Sequence, residues 1–122
     1  MARKILLVDD EKDLVETLSF RLEGQKYEVI KAYDGKEGLD KARTLKPDLI
    51  ILDLMLPRMY GYKVCAMLKH DPSYLKIPII LFTARAEESD KKLGEEVGAD
   101  AYITKPFESQ VLLDKIKELL GE

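Results

Sequence analysis

Leu49-Ile50-Ile51-Leu52 is an apolar run with no polar side chain in it, and it gives out at Asp53. A strand with one wet face alternates polar and apolar positions, so a run this uniform predicts a strand covered by helices on both sides. Lys4-Ile5-Leu6-Leu7-Val8 reads as another buried strand, stopped by Asp9-Asp10-Glu11. Asp53 then stands at the carboxyl end of a central strand, the edge where open α/β sheets bind ligands and do chemistry.

The remaining elements alternate. A helix from about Lys12 to Glu23 carries Leu14, Leu18 and Leu22 as its apolar stripe, and Gly24 suits a left-handed cap at its end. Tyr27 to Ala32 follows as a second strand, and Asp34 with Glu37 has the spacing of a capping box opening a second helix, which ends at Lys46-Pro47. After the strand that closes on Asp53, a loop through Arg58-Met59-Tyr60-Gly61 leads to a third helix with Val64, Cys65, Met67 and Leu68, stopping near Asp71-Pro72. Ile77 to Thr83 is the fourth strand. The helix expected over 87–97 is rich in acids and lysines, has only Leu93 and Val97 as large apolar side chains and contains Gly94, so it is expected to be the least firmly docked. Gly98 caps it, Ala101-Tyr102-Ile103-Thr104 makes the fifth strand, and a last helix bears Leu112, Leu113, Ile116, Leu119 and Leu120.

Five strands alternating with five helices predict a doubly wound α/β fold of the (βα)5, flavodoxin-like kind: a parallel five-stranded sheet with helices on both faces. Right-handed crossovers leave few topologies, among them the order 2-1-3-4-5, which sets strands one and three side by side at the switch point. Asp9 and Asp10 then meet Asp53 in one crevice.

A chain of 122 residues has room for one domain and one core, burying roughly two thirds of its unfolded surface. The formal net charge of −3 gives no electrostatic basis for a nucleic-acid partner. The apolar residues after Lys4 are too few for a signal peptide or a membrane span, so a cytoplasmic protein without membrane contact is expected. The single cysteine, Cys65, excludes an internal disulfide and a cysteine metal cluster, and is read as a core residue rather than a reactive thiol.

Carboxylates that converge repel one another, so some take up protons or a cation sits among them. Hard oxygen donors favour magnesium over zinc, with Asp10 and Asp53 as direct ligands, Asp9 acting through water and a backbone carbonyl just past Asp53 completing the protein's share. The same topology delivers Thr83 from strand four and Lys105 from strand five. A cation, an ammonium and a hydroxyl around one carboxylate suit a phosphoryl group in transfer, with Asp53 as the nucleophile that becomes an aspartyl phosphate.

At these residues the chain resembles the response-regulator receiver domain, the CheY-like module of two-component signalling. The resemblance rests on Val8-Asp9-Asp10-Glu11, on Pro47-Asp48 through Asp53-Leu54-Met55-Leu56-Pro57, on Leu81-Phe82-Thr83-Ala84, and on Gly98-Ala99-Asp100 followed by Tyr102-Ile103-Thr104-Lys105-Pro106-Phe107. It covers essentially the whole length. It implies phosphoryl transfer from the phosphohistidine of a histidine kinase or phosphotransfer protein to Asp53, with magnesium required, Met55 giving the backbone carbonyl ligand and Lys105-Pro106 a cis peptide. It further implies that Thr83 moves toward the phosphoryl oxygens, that Tyr102 swings into the space released, and that the face of the fourth helix, fifth strand and fifth helix changes its preference for a downstream effector. The largest change is expected in the helix over 87–97.

Some positions depart from the family's pattern. Tyr60 stands where Asp or Asn is usual, leaving that turn without a capping carboxylate or amide; it adds contact area for a partner or packs on the adjacent loop. Met55 has no polar group to orient an attacking water and Arg85 lines the other approach, so self-dephosphorylation is expected to be slow. Ala101 and Val111 lack the charges that would pair with such residues as Lys91 across a dimer of the winged-helix regulator kind, so a monomer or a weak phosphorylation-dependent dimer is expected. The chain ends at Glu122 without an output domain, as a stand-alone receiver or as part of a longer protein. Residues 1–122 read as one receiver that catalyses only its own phosphorylation and dephosphorylation. A phosphorylation-independent scaffold is the alternative. An aspartyl phosphatase is disfavoured because Met55 replaces the second acid of its motif, and a flavin or nucleotide binder because Asp9-Asp10-Glu11 would repel phosphate. His70, after the third helix, is read as a surface or helix-end residue.

Overall fold

The apolar runs form the strands they predict. In the computed structural model, which describes residues 2–83, 92 and 97–122, β1 (Lys4–Val8), β2 (Glu28–Ala32), β3 (Leu49–Asp53), β4 (Ile79–Thr83) and β5 (Ala101–Thr104) make one parallel sheet in the order β2-β1-β3-β4-β5. Every residue of β3 and of β4 is buried, whereas the edge strands β2 and β5 are only partly covered. That difference is why Leu49–Leu52 and Ile79–Phe82 carry no polar side chain before the terminal Asp53 and Thr83.

Alternate strand residues feed two cores. Ile5, Leu7, Leu49, Ile51, Ile80, Phe82 and Ile103 pack on one face against α1 (Lys12–Gly24) and the C-terminal helix (Ser109–Leu120). Leu6, Val8, Ile50, Leu52, Ile79 and Leu81 face the other way, against α2 (Gly35–Leu45) and α3 (Gly61–Lys69). Cys65 lies in this second core, where burial pushes its thiol up to about 12, so it is inert at neutral pH. Among the described residues, no helix is long and apolar enough to cross a membrane. The helix expected over 87–97, with Leu93 and Gly94, and the positions of Arg85 and Lys91 lie outside the described residues, apart from Lys92 and Val97.

Helix ends show where local signals hold. Asp34 caps α2, its Oδ1 accepting from the Glu37 N–H at 2.8 Å, while Glu37 Oε1 reaches one residue further back than in a closed capping box, to the Tyr33 N–H at 2.7 Å. Gly24 is not the left-handed cap expected of it. The helix runs through Gly24, and the reversal is made by Lys26 at φ 69°. The reason is the hydrogen bonding of the following chain: Lys26 N–H donates to Glu23 O at 2.9 Å and Tyr27 N–H to Leu22 O at 3.1 Å, a Schellman closure that needs its positive φ two residues past the glycine. Gly121, at φ 74°, closes the C-terminal helix in the same way with the expected residue type.

The amino ends of the strands are joined by a repeated clasp. Asp48, just before β3, accepts the Lys4 N–H on Oδ2 at 2.7 Å and donates its own N–H to Lys4 O at 2.8 Å. Asp100, just before β5, does the same to Ile79 at 2.8 and 2.9 Å. The Lys69 ammonium joins the second clasp, 2.7 Å from Asp100 Oδ2, and also donates to Leu75 O and Ile77 O at 3.0 and 2.8 Å.

Candidate functional site: an acidic crevice at the carboxyl edge of the sheet

Adjacent parallel strands end at one level, so whatever follows each strand is delivered to the same edge. Asp9 follows β1, Asp53 ends β3, Thr83 ends β4 and Lys105 follows β5. Asp9 N–H donates to Ala32 O at 3.1 Å and Lys105 N–H to Thr83 O at 2.6 Å, which extends the ladders one step beyond the strands and fixes both residues' backbones.

Carboxylate oxygens of Asp9, Asp10 and Asp53 all lie within 4.8 Å of one another. Asp9 is fully buried, Asp53 is 7% exposed and Asp10 faces outward. The Lys105 ammonium stands among them, donating to Asp9 Oδ2 at 2.7 Å and Asp53 Oδ2 at 3.3 Å. The other Asp53 oxygen accepts the Met55 N–H at 3.2 Å. Burial, then the charge of Asp9, raises the Asp53 carboxyl above its ordinary value, with Lys105 and the Met55 N–H partly offsetting this. For Lys105, burial pulls downward, but the hydrogen bond to Asp9 and the charges of Asp53 and Asp9 outweigh it and hold the ammonium above the usual lysine range. The lysine is therefore a fixed positive charge beside a carboxylate whose negative charge is poorly solvated.

Donors of this kind, all hard oxygens without histidine or cysteine, fit a divalent cation such as magnesium rather than zinc. Asp10, the exposed member, gives such an ion a side open to water.

The structure thus brings Asp9, Asp10, Asp53 and Lys105 into direct proximity. Thr83 is buried at the end of the neighbouring strand, in register with Thr104. Tyr102 lies further back in β5, opposite Leu81, half-buried against the second core. Lys105-Pro106 is cis. Tyr60 makes no side-chain cap at α3, as its residue type implies; its ring stacks on Tyr62, centroids 5.6 Å apart, and it and Met55 are half exposed beside the crevice. Val111 is likewise exposed. His70 closes α3 through its backbone N–H to Ala66 O, and its residue is exposed.

Two residues of the site were not singled out from sequence. Glu11 reaches Lys105 with Oε1 at 3.2 Å, a contact its place in the acidic run signals only as charge. Gly61 touches the backbone of the Asp53 segment: a Cβ there would stand 1.7 Å from Asp53 O and 2.7 Å from Asp53 C. A glycine right after the loop that follows β3 is the available signal for such an approach.

A family model described as response regulator receiver domain matches residues 5–117. The alkaline phosphatase synthesis transcriptional regulatory protein PhoP of Bacillus subtilis (strain 168) is 49% identical over 120 residues, which is 98% of this chain and 49% of that protein. The chain therefore spans about half the length of this curated relative. Among solved structures, a putative response regulator from Chloroflexus aurantiacus J-10-fl matches at TM-score 0.94 and 36% identity over 100% of both chains. The receiver domain of the sensor histidine kinase PA1611 from Pseudomonas aeruginosa PAO1 matches at TM-score 0.91 and 26% identity, again over 100% of both chains; its structure has a magnesium ion coordinated in the active site cleft.

Proposed function

The chain belongs to the response regulator receiver domain family, and from that premise we propose that it is a signalling switch set by phosphorylation of Asp53. The observation that carries the proposal is the Lys105 ammonium held 3.3 Å from Asp53 Oδ2 inside an all-oxygen cluster. An Asp53 carboxylate oxygen attacks the phosphorus of a phosphohistidine on a histidine kinase or phosphotransfer protein. The new P–O bond forms as the P–N bond breaks, and the electron pair of that bond leaves with the imidazole. Lys105 pairs with a phosphoryl oxygen as charge builds on it, and the Thr83 hydroxyl donates to another. Asp9, Asp10, Asp53 and the Met55 carbonyl would hold magnesium, which would supply positive charge to offset the negative charge developing on the transferring group.

The chain catalyses only these steps on itself. In a separate hydrolytic step, water attacks phosphorus, the P–O bond to Asp53 breaks, and inorganic phosphate and the carboxylate are released. The output is a changed partner preference on the face that includes β5 and the C-terminal helix, through Thr83 and Tyr102, toward a downstream effector.

Incubating the protein with magnesium and acetyl phosphate or phosphoramidate, then measuring intact mass, tests the proposal. One added phosphoryl group is expected with magnesium and none with excess chelator; equal labelling in both would overturn it. Because the half-exposed Met55 thioether is only a weak acceptor, with no strong polar group to orient an attacking water, the purified phosphoprotein is expected to decay over minutes or longer. Loss within seconds in the absence of a phosphatase, followed by released phosphate, would contradict that.

A further inference from the structure

Lys105 reaches three carboxylates at once: Asp9 Oδ2 at 2.7 Å, Glu11 Oε1 at 3.2 Å and Asp53 Oδ2 at 3.3 Å. An ammonium has three N–H donors, so these acceptors account for all of them. Asp9 and Asp53 belong to the aspartate cluster, and Glu11 does not. A divalent cation entering the cluster competes with the ammonium for the same oxygens. Glu11 offers the ammonium a carboxylate outside that competition.

The local structure of Glu11 fits this use. It is the N-cap of α1, a position that Ser, Thr, Asp and Asn fill best, and its longer side chain makes no cap hydrogen bond, which leaves the carboxylate available to Lys105. Its backbone N–H instead donates to Asp9 Oδ1 at 2.9 Å. One residue thus orients Asp9 through its main chain, leaving Oδ2 toward Lys105, and takes Lys105 through its side chain. The Glu11 side chain is 63% exposed whereas that of Lys105 is only 13% exposed, so the carboxylate is the partner free to follow the ammonium.

We propose that Glu11 is a positioning residue that retains the Lys105 ammonium when Asp9 and Asp53 engage a divalent cation, keeping it within reach of a phosphoryl group on Asp53. This rests on the functional reading above, in which the aspartates hold magnesium.

Magnesium affinity of the full chain, measured by calorimetry without a phosphoryl donor, tests it. Glu11→Gln is expected to weaken binding about threefold, the scale of an exposed ion pair. Glu11→Asp keeps the charge but loses one methylene of reach, and is expected to weaken binding similarly. In a Lys105→Gln or Lys105→Met background, Glu11→Gln is expected to change affinity by less than about 1.5-fold, because the residue it acts through is gone. Equal weakening with and without Lys105, wild-type affinity in Glu11→Asp, or no effect of Glu11→Gln would each overturn the inference and leave the functional reading standing. An unaltered protein that binds no magnesium would overturn both.

Discussion

Asp53→Asn is expected to take up no phosphoryl group under conditions that label the unaltered protein fully. The amide is nearly the same size and still offers an oxygen to the Met55 N–H, now 3.2 Å from Asp53 Oδ1, so the strand and its loop should keep their form. What it loses is the anionic nucleophile. A neutral amide oxygen does not displace a phosphoryl group from phosphoramidate at a useful rate, and Asp9, fully buried, has no exposed oxygen with which to substitute. Intact mass after incubation with magnesium and donor reads the result directly. Residual labelling of Asp53→Asn at a rate near the parent's would move the acceptor to another residue and remove the centre of the functional reading. Stability should change in the other direction. Burial and the Asp9 charge make the Asp53 carboxylate costly to hold ionised, so a neutral isostere is expected to melt at the same temperature or higher.

Gly61→Ala is expected to be among the most damaging single-methyl additions at the site. Its Cβ would fall 1.7 Å from Asp53 O, 2.7 Å from Asp53 C and 3.1 Å from Leu54 Cα, all of them main-chain atoms that cannot rotate aside. Either the end of β3 shifts or the start of α3 does, and the Gly61 N–H to Leu54 O bond of 2.9 Å is strained in both cases. Overpacking of this kind costs about 1 to 3 kcal/mol, or a melting point lower by about 4 to 12 °C in a domain of this size. Phosphoryl uptake should fall with it, because the displaced backbone is that of Asp53. Gly24 is the control: nothing stands within 4 Å of a Cβ there and the residue is helical, so Gly24→Ala is expected to be neutral or stabilising by about 0.5 kcal/mol. Equal melting points for the two variants would show that the contact at Gly61 is not felt.

These two glycines also mark the boundary of what sequence conveys. The central strands could be placed because uniform apolarity has one good explanation, burial on both faces, and β3 and β4 are buried throughout. Once those strands were placed, Asp9, Asp53, Thr83 and Lys105 followed from topology alone, since parallel neighbours end together. Expectations set by one residue type at one position fared less well. Gly24 carries the conformational freedom a left-handed cap uses, but the cap forms where the next strand's hydrogen bonds require it, and Lys26 takes the positive φ. Glu11 and Lys105 are 94 residues apart. No local pattern states that such a pair meets, and the contact becomes visible only when β1 and β5 are set on either side of β3 and β4.

The clasps of Asp48 and Asp100 have a consequence for how such a chain can vary. Both sit on the rim of the sheet opposite Asp53, and both secure neighbouring strands by paired main-chain and carboxylate bonds. Anchorage is thereby assigned to the rim opposite the acidic crevice. The crevice rim can carry crowded like charges that weaken it, because the opposite rim is fastened independently. Substitutions that tighten the fastened rim offer a route to a hardier protein that leaves the acidic crevice untouched.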